Sequence, residues 1–361
     1  MLASKEPLDR EQSMTGEPVR IGLIGFGAWG RFHAQAITQT RGACLGAICS
    51  RSRENAEAAR TAYPGVPVYD SYAKMLREQP LDAVAVVLPS YLHAEVGVAA
   101  LEQGLNVLME KPLATSMADC RRLLEAAGRS GKLLAVGHEL RCSSLWGTVK
   151  TLIEEQKIGR PQYVLVELSR RPYRLGTDGW RYDRNRVGSW ILEEPIHFFD
   201  LARWYLASEG EPQSVYAVAN SRQDDPQLHD NVGAVVRFSG GAFAVIAHTL
   251  AAFEHHQTVK VAGTGGAIWA SWSGQMDRTF EPHFQLRWSD GNQIHTLPID
   301  RPAGEVFELN EQYVRFVQVI RGQGKLVADG LDGLWAVAMC LAAERSVGTG
   351  TPVALELPAI E

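Results

Sequence analysis

Cysteines are few in this sequence, and long apolar runs are absent from it. The 361 residues include five cysteines, none in a Cys-x-x-Cys pair, so neither a disulfide framework nor a zinc site is indicated. No apolar stretch approaches the roughly 18 residues that a membrane helix needs. These absences predict a cytoplasmic protein that holds no metal ion and contacts no membrane.

A large excess of charge of one sign is also lacking. The 36 Lys and Arg residues against 41 Asp and Glu residues give a net charge of −5, so electrostatics gives no reason to expect nucleic acid as a partner. Residues 1–18 lack the apolar segment of a secretory signal and are predicted to be a flexible tail. At about 150 residues per domain, the remainder predicts two domains, which we place at residues 19–138 and 139–361.

Strand-like and helix-like segments alternate through the first of these domains. This alternation predicts an α/β fold whose N-terminal domain is a doubly wound parallel sheet of the Rossmann type. In the second domain, alternating apolar and polar residues and a hairpin at Gly240-Gly241 predict a large, mostly antiparallel open sheet. We assign substrate binding and the oligomer contact to this domain. Two late helices are predicted at residues 308–321 and 330–347.

The turn after the first strand has the spacing of a dinucleotide-binding loop. Gly25 permits the tight turn, Gly27 lets the backbone approach a pyrophosphate, and Gly30 allows close packing of helix against strand. The pyrophosphate is expected at the N-terminus of the following helix. The intervening residues, which we also assign to the cofactor site, are Phe26, Ala28 and Trp29.

The end of the second strand indicates which dinucleotide is bound. A carboxylate there would bond the ribose 2′-hydroxyl of NAD, but this sequence has Ser50 and Arg51 instead. A hydroxyl and a guanidinium suit a 2′-phosphate, so NADP is the preferred cofactor. NAD stays open as the alternative cofactor, because an Arg51 that faces solvent would not distinguish NADP from NAD.

Two further segments carry groups suited to catalysis. Lys111 follows the strand at residues 106–109, at the edge where ligands of an open α/β sheet lie, so we expect it near the nicotinamide. There it would polarise a carbonyl, or share a proton with a hydroxyl if its pKa were lowered. His197 lies on a predicted helix four residues after Glu193, and Asp200 is expected to hold its imidazole in one tautomer.

The glycine loop, the Glu-Lys-Pro segment at residues 110–112 and the helix of His197 together resemble the Gfo/Idh/MocA oxidoreductase family. The resemblance implies a Rossmann domain, a second α/β domain, and NAD(P)-dependent interconversion of hydroxyl and carbonyl groups on sugars or polyols. It also implies that Lys111 lies near the reacting oxygen and that His197 is the acid/base residue. Glu193 stands where the family usually has Asp.

The same resemblance extends to positions outside these motifs. It implies cofactor contacts from these residues: Pro89, His93, Glu110, Lys111, Trp180 and Arg181. The sequence departs from the family pattern at Pro195, where Gly is usual, and at Trp190, in a stretch that is often glycine. We expect Trp190 to narrow the pocket.

An arginine-rich stretch at residues 170–186 precedes the helix of His197. Guanidinium groups and interleaved aromatic rings indicate recognition of an anionic sugar. The alternatives are a solvated loop, arginines paired with Asp178 and Asp183, or contacts to the cofactor phosphates. The residues assigned to substrate binding are Lys111, Arg141, Arg171, Tyr173, Glu193 and His197.

The sequence therefore predicts an NAD(P)-dependent sugar or polyol dehydrogenase or reductase with Lys111, Glu193 and His197 as catalytic residues. Its predicted partner is a small-molecule carbohydrate, either neutral or carrying an anionic group. Two rival hypotheses stay open: a glycoside-cleaving enzyme that oxidises the sugar transiently, and a non-catalytic NADP-binding regulator. The apolar outer face of an open sheet, together with the resemblance, predicts a homodimer or homotetramer.

Overall fold

The computed structural model describes residues 16–222 and 228–356, which form two β-sheets with helices packed around them. Residues 1–15, most of the predicted tail, lie outside the described residues. Within the two described ranges, no helix is long and apolar enough to cross a membrane. The predicted α/β class, with one parallel and one mostly antiparallel sheet, is confirmed.

The first sheet is parallel throughout. Its strands are Val19–Ile24 (β1), Ala43–Cys49 (β2), Val68–Tyr69 (β3), Ala83–Val86 (β4), Asn106–Met109 (β5) and Leu134–Val136 (β6). Their order, β3-β2-β1-β4-β5-β6, is that of the Rossmann fold, with the topological switch between β1 and β4. All four residues of β4 are buried apolar side chains, because elements cover both faces of the sheet. The two-residue β3 was not predicted from the sequence.

Five helices connect these strands. They are Ala28–Gln39 (α1), Arg53–Ala62 (α2), Tyr72–Glu78 (α3), His93–Glu102 (α4) and Met117–Ser130 (α5). The hydroxyls of Ser52, Ser71 and Ser116 cap α2, α3 and α5 by accepting a backbone N–H three residues later. In contrast, α1 begins after Gly27 without a side-chain cap, which leaves its first N–H groups available to a ligand.

The second sheet is large and open. Its strands are Pro161–Arg170 (β7), Pro212–Asn220 (β8), Asn231–Phe238 (β9), Phe243–Thr249 (β10), His255–Gly263 (β11), Ala267–Gly274 (β12), His283–Ser289 (β13), Ile294–Leu297 (β14) and Val353–Ala354 (β15). Their order is β14-β13-β12-β11-β7-β10-β9-β8-β15. The pair β7 and β10 is parallel and the other neighbours are antiparallel. The predicted hairpin at Gly240-Gly241 is confirmed as the turn between β9 and β10.

Six more helices complete the described chain. They are Ser144–Glu154 (α6), Arg184–Val187 (α7), Trp190–Glu193 (α8), Ile196–Tyr205 (α9), Glu305–Ile320 (α10) and Gly330–Thr349 (α11). The two predicted late helices are confirmed, with ends shifted by up to three residues. Leu309, Tyr313 and Phe316 of α10 pack in one core cluster with Ile21 and Leu23 of β1. The chain thus returns to the first sheet after completing most of the second.

Candidate active site

The three glycines of the loop before α1 have different steric roles. Gly25 has a φ of +109°, and a Cβ there would lie 2.0 Å from the main-chain oxygen of Val87. A Cβ at Gly30 would lie 2.1 Å from the main-chain oxygen of Gly25, whereas a Cβ at Gly27 would meet nothing within 4 Å. Gly25 and Gly30 therefore permit the turn and the close packing, and the open space at Gly27 fits the approach of a dinucleotide phosphate.

The aromatic side chains of this loop face different surroundings. Phe26 is buried and packs edge-on against Tyr63, so its side chain belongs to the core and not to the cofactor site. Trp29 lies beside Arg278, whose Cζ is 4.3 Å from the indole centroid. Because Arg278 follows β12, this contact joins the second sheet to the glycine loop. Sequence reasoning did not find Arg278, since no local pattern marks it.

The end of β2 lacks a carboxylate, as the sequence shows. Ser50 is buried at this point and Arg51 is exposed. Nearby, Arg31 and Arg53 line a surface cleft of about 890 Å³ together with two glutamates of α2. The surroundings of the predicted ribose site are therefore rich in guanidinium groups but not uniformly positive.

Glu110 forms a buried pair with a histidine of α1. Its carboxylate lies 3.1 Å from Nε2 of His33, whose Nδ1 lies 2.7 Å from the hydroxyl of Tyr313 in α10. Burial raises the pKa of Glu110, but the hydrogen bond and charge of His33 outweigh burial and lower the pKa to about 2. The side chain therefore braces the end of β5 against α1, and a cofactor contact of Glu110 stays a prediction.

His93 braces the same loop from the other side. Its two ring nitrogens lie 2.7 Å from the main-chain oxygen of Pro112 and 2.9 Å from that of Leu88. The imidazole is buried between these carbonyls and is not free for a cofactor, which corrects its predicted role. Pro89 lies at the carboxyl end of the first sheet, just after β4, and its cofactor contact stays a prediction.

Lys111 projects from this braced loop to the segment before α9. Its Nζ donates a hydrogen bond to the main-chain oxygen of Glu193 and lies 3.9 Å from Oε2 of Glu194. Burial lowers the pKa of Lys111, but the surrounding carboxylates, Glu193 and Glu194 first, outweigh burial and raise it. The raised pKa favours the charged form of Lys111, so its surroundings support polarisation of a carbonyl and not the predicted sharing of a proton.

His197 is buried beside this cation. Burial lowers the pKa of His197 well below its usual value, and the charge of Lys111 acts in the same direction. Its Nε2 lies 3.6 Å from Oε1 of Glu139, and its Nδ1 is buried without a hydrogen-bond partner in the described part of the chain. The imidazole is thus neutral near pH 7 and able to accept a proton.

Asp200 does not orient His197, although both lie on α9. Its carboxylate accepts two hydrogen bonds from Arg141, at 2.8 Å from Nε and 2.6 Å from Nη2. Nη1 of the same guanidinium donates to Asp332 at 3.0 Å. The predicted roles of Asp200 and Arg141 are both corrected by this contact: a buried bidentate ion pair fixes α9 and α11, and the arginine is not free to bind substrate.

Glu193 is held away from His197 by an arginine. Its Oε1 accepts a hydrogen bond of 2.5 Å from Nε of Arg181, whose Cζ lies 4.8 Å from the ring of Trp180. Glu193 ends α8, whereas His197 lies on α9, so the two do not share one continuous helix face. The predicted Trp180-Arg181 pair thus clamps Glu193, and its contact with a cofactor stays a prediction.

Three of the six arginines of the arginine-rich stretch are paired with carboxylates, but not with the two that the sequence suggested: they are Arg170, Arg174 and Arg181. Arg170 lies 2.7 Å from Glu194 and 3.3 Å from Asp277, and Arg174 also lies 3.3 Å from Asp277. Burial raises the pKa of Glu194, but the charge of Arg170 outweighs burial and holds it well below the usual range. Arg170 and Arg174 are therefore charge-compensated, and Asp277 was missed because it is distant in sequence.

The remaining predicted substrate residues differ in exposure. Tyr173 is buried and packs edge-on against Trp190, whose indole N–H donates to the main-chain oxygen of Arg181 at 2.8 Å. Trp190 is 1% exposed, so it belongs to a small apolar cluster and does not narrow an open pocket as predicted. Arg171 is exposed, and its role in substrate binding stays a prediction.

The structure thus places Lys111 beside His197 at the carboxyl end of the first sheet, with Glu139 and Glu194 nearby, whereas Glu193 contacts Lys111 through its main-chain oxygen. A fixed cation next to a neutral imidazole can polarise a carbonyl oxygen while a proton moves to or from that oxygen. Among the residues described, no cluster of three or more His, Cys, Asp or Glu has the arrangement of a metal site.

Family comparison agrees with this geometry. Residues 19–138 match the family described as "Oxidoreductase family, NAD-binding Rossmann fold", and residues 146–269 match the "GFO/IDH/MocA C-terminal domain". Together these matches cover the glycine loop, Lys111 and His197. They support a nicotinamide dinucleotide as the cofactor that the loop at Gly27 accommodates.

Similar proteins align along nearly the whole chain. A 1,5-anhydro-D-fructose reductase of Ensifer adhaerens is 29% identical over 343 residues, which is 93% of this chain and 98% of the relative. A myo-inositol 2-dehydrogenase of Thermotoga maritima is 26% identical over 94% of this chain and 99% of its own length. The crystal structure of the WlbA dehydrogenase from Bordetella pertussis, in complex with NADH and UDP-GlcNAcA, superposes with a TM-score of 0.81 at 26% identity, over 96% of this chain and all of that one.

Proposed function

The chain belongs to the Gfo/Idh/MocA family of oxidoreductases, and on that premise we propose that it transfers a hydride between a nicotinamide cofactor and a hydroxyl or carbonyl group of a sugar, polyol or sugar derivative. The observation that carries the proposal is the placement of the partly buried Lys111 ammonium beside the buried His197 imidazole at the carboxyl end of the sheet. Relatives named for reactions on an anhydro sugar and on inositol support the substrate class.

The two side chains divide the work on the reacting oxygen. In the oxidation direction, His197 accepts the hydroxyl proton, and the Lys111 ammonium stabilises the negative charge that develops on that oxygen. When bound, the nicotinamide supplies the hydride acceptor. Glu193, fixed by Arg181 and joined through its main-chain oxygen to Lys111, holds the ammonium in place.

We propose NADP as the preferred cofactor. Ser50 and Arg51 stand where a carboxylate would select NAD, and a guanidinium favours a 2′-phosphate. The glutamates in the adjacent cleft act against this preference, and NAD stays the alternative. Residues 19–138 would carry the cofactor, and residues 139–361 the substrate and the subunit contact.

We further propose that the substrate is neutral at the reacting end. Arg170 and Arg181 were candidates for binding an anion, but each forms a short ion pair with a buried carboxylate, Glu194 or Glu193. An anionic group would have to displace one of these carboxylates, which is costly in a buried site. A charged group far from the reacting carbon would still reach the exposed Arg171.

A homo-oligomer follows from the outer face of the second sheet. Four large apolar side chains on this sheet, each between 40% and 58% exposed, are Tyr216, Val218, Phe243 and Trp269. Exposed apolar surface of this kind favours association. We propose that a second copy of the chain covers this face.

A cofactor absorbance assay over a panel of sugars tests the proposed reaction. The panel holds inositols, aldoses, a 1,5-anhydro sugar and the matching sugar acids, each with NAD and with NADP. We expect net reduction or oxidation of cofactor with at least one neutral member. Release of an aglycone without net cofactor change would instead indicate the glycoside-cleaving reaction. No change in cofactor absorbance with any member of the panel would favour a non-catalytic regulator.

A further inference from the structure

Glu139 occupies an unusual position for a carboxyl group. It begins the 3₁₀ turn Glu139–Cys142, directly after β6, and is 4% exposed. Its Oε1 lies 3.6 Å from Nε2 of His197, and its Oε2 is buried without a hydrogen-bond partner in the described part of the chain. An unsatisfied buried carboxyl oxygen is costly, so its retention beside an imidazole calls for a functional explanation.

The other acidic side chains around His197 are already engaged. Asp200 is bound by Arg141, Glu193 by Arg181, and Glu194 by Arg170. Within the described ranges, His197 is the one basic group that lies within 4 Å of the Glu139 carboxyl. The carboxyl group available to interact with the imidazole is therefore that of Glu139, not that of Asp200 as the helical spacing predicted.

We propose that Glu139 is the positioning residue of the acid/base step: it holds the His197 ring in register and becomes its counter-ion when the imidazole is protonated. This inference rests on the proposed function of His197 as the proton acceptor. The contact between Glu139 and His197 joins the segment after β6 to α9. Neither the glycine loop nor the Lys111 segment implies this contact.

Electrostatics agrees with this assignment. Burial raises the pKa of Glu139, and the neighbouring charges of Glu110 and Glu305 raise it further against the opposing effect of Lys111. Burial, Lys111 and His138 lower the pKa of His197, whereas Glu194 and Glu110 raise it. Burial thus disfavours the charged form of each member, and the protons of two such interacting groups leave in two macroscopic steps.

The proton balance of the step is simple. The substrate hydroxyl gives its proton to His197, and the Glu139 carboxyl gives its own proton to solvent. From the neutral forms that burial favours, the pair becomes an imidazolium beside a carboxylate, so the net charge of the pair does not change. An ion pair is far less costly in a buried site than an isolated imidazolium.

The variant Glu139→Gln tests the proposal with two readouts. In NMR titrations of histidine labelled with ¹⁵N, with His197 assigned from His197→Asn, the wild-type ring should sense two steps, and Glu139→Gln should lose the step due to the carboxyl. In the assay, kcat should fall about 100-fold at pH 8 with KM changed by less than about threefold. Glu308→Gln is the matched control, because Glu308 is also a buried carboxyl with an unpartnered Oε2 in the described chain.

Each outcome decides the question. If the His197 titration and kcat at pH 8 are the same in Glu139→Gln as in wild type, the proposal is overturned, whatever the stability of the variant. If wild type turns over no sugar, the proposed function fails, while the NMR titration still reports on the contact. Should Glu139→Gln not fold, Glu139→Asp replaces it: the shortened acid should keep both steps but lower kcat, and an unchanged kcat overturns the proposal.

Discussion

Nη1 of Arg170 lies 2.7 Å from Oε1 of Glu194, while Oε2 of the same carboxylate lies 3.9 Å from Nζ of Lys111. One carboxylate thus links the last residue of β7 to the lysine after β5. The link offsets two positive charges with a negative charge that burial cannot neutralise, because Arg170 holds the pKa of Glu194 well below its usual range. The predicted anion-binding arginine is therefore part of the scaffold that holds Lys111.

Replacing Lys111 by methionine should nearly abolish turnover. The substitution removes the charge that stabilises the developing oxyanion but keeps the length and apolar stem of the side chain, so we expect kcat/KM to fall by about 1,000-fold or more. Cofactor affinity, measured by fluorescence titration, should change less than about threefold. Lys150→Met is the control, since Lys150 lies on α6 and bonds Glu154 and the main chain of Trp204. A Lys111→Met enzyme with near-normal turnover would contradict the assignment.

Replacing Glu194 by glutamine should make the site more tolerant of anions. The change leaves Arg170 and Lys111 without their shared counter-ion, so the ratio of kcat/KM for a sugar acid to that for its neutral analogue should rise about tenfold, equivalent to about 1.4 kcal/mol. Glu344→Gln serves as the control, because Glu344 bonds Ser189 and lies near His229 instead. An unchanged ratio would show that Glu194 does not set the charge of the site.

Replacing Arg51 by aspartate should reverse the proposed cofactor preference. The new carboxylate repels a 2′-phosphate and can accept a hydrogen bond from a 2′-hydroxyl, so the Kd of NADP should rise about 10- to 100-fold while that of NAD stays level or falls. Arg77→Asp, in the exposed last turn of α3, controls for the change in net charge. Equal weakening of both cofactors would place Arg51 outside the ribose site.

Glu308 should make stability fall as the pH rises. Burial raises its pKa to about 7 from a usual value of 4.5, so the unfolded chain releases this proton first. The destabilisation is absent below pH 4.5, grows between pH 4.5 and 7, and is complete above pH 7. Glu308→Gln should therefore gain up to about 3 kcal/mol in free energy of unfolding between pH 4 and pH 8, relative to wild type.

Denaturant unfolding at both pH values measures this difference. Glu78→Gln, an exposed position on α3, should show none. If Glu308→Gln gains nothing at pH 8 over its value at pH 4, the carboxyl ionises in the folded protein without cost.

Local patterns predicted the features that depend on short stretches of chain. The glycine spacing predicted the steric roles of Gly25 and Gly30, because each acts on backbone within a few residues or on an adjacent strand. The pyrophosphate contact of Gly27 stays a prediction. The strand before Lys111 was recognised because a central parallel strand is a short continuous apolar run. Helix and strand periodicity likewise predicted the sheets and the late helices.

Partners distant in sequence could not be predicted in this way. The spacing of His197 and Asp200 suggested a contact within one helix, but Arg141, 59 positions earlier, takes the carboxylate. Arg278 contacts Trp29, and Asp277 contacts Arg170, because the order of the strands brings these distant segments together. Such tertiary contacts decide whether an arginine pairs with a carboxylate of its own chain or stays free for a ligand. They cannot be inferred from composition.

The most direct test of the account follows a deuterium atom. A neutral polyol that proves active, labelled with deuterium on its reacting carbon, is incubated with oxidised cofactor and enzyme, and the released cofactor is analysed by mass spectrometry. The account predicts reduced cofactor carrying one deuterium per molecule of ketone formed, at a rate that collapses in Lys111→Met. Product formation with no deuterium in the released cofactor would contradict it.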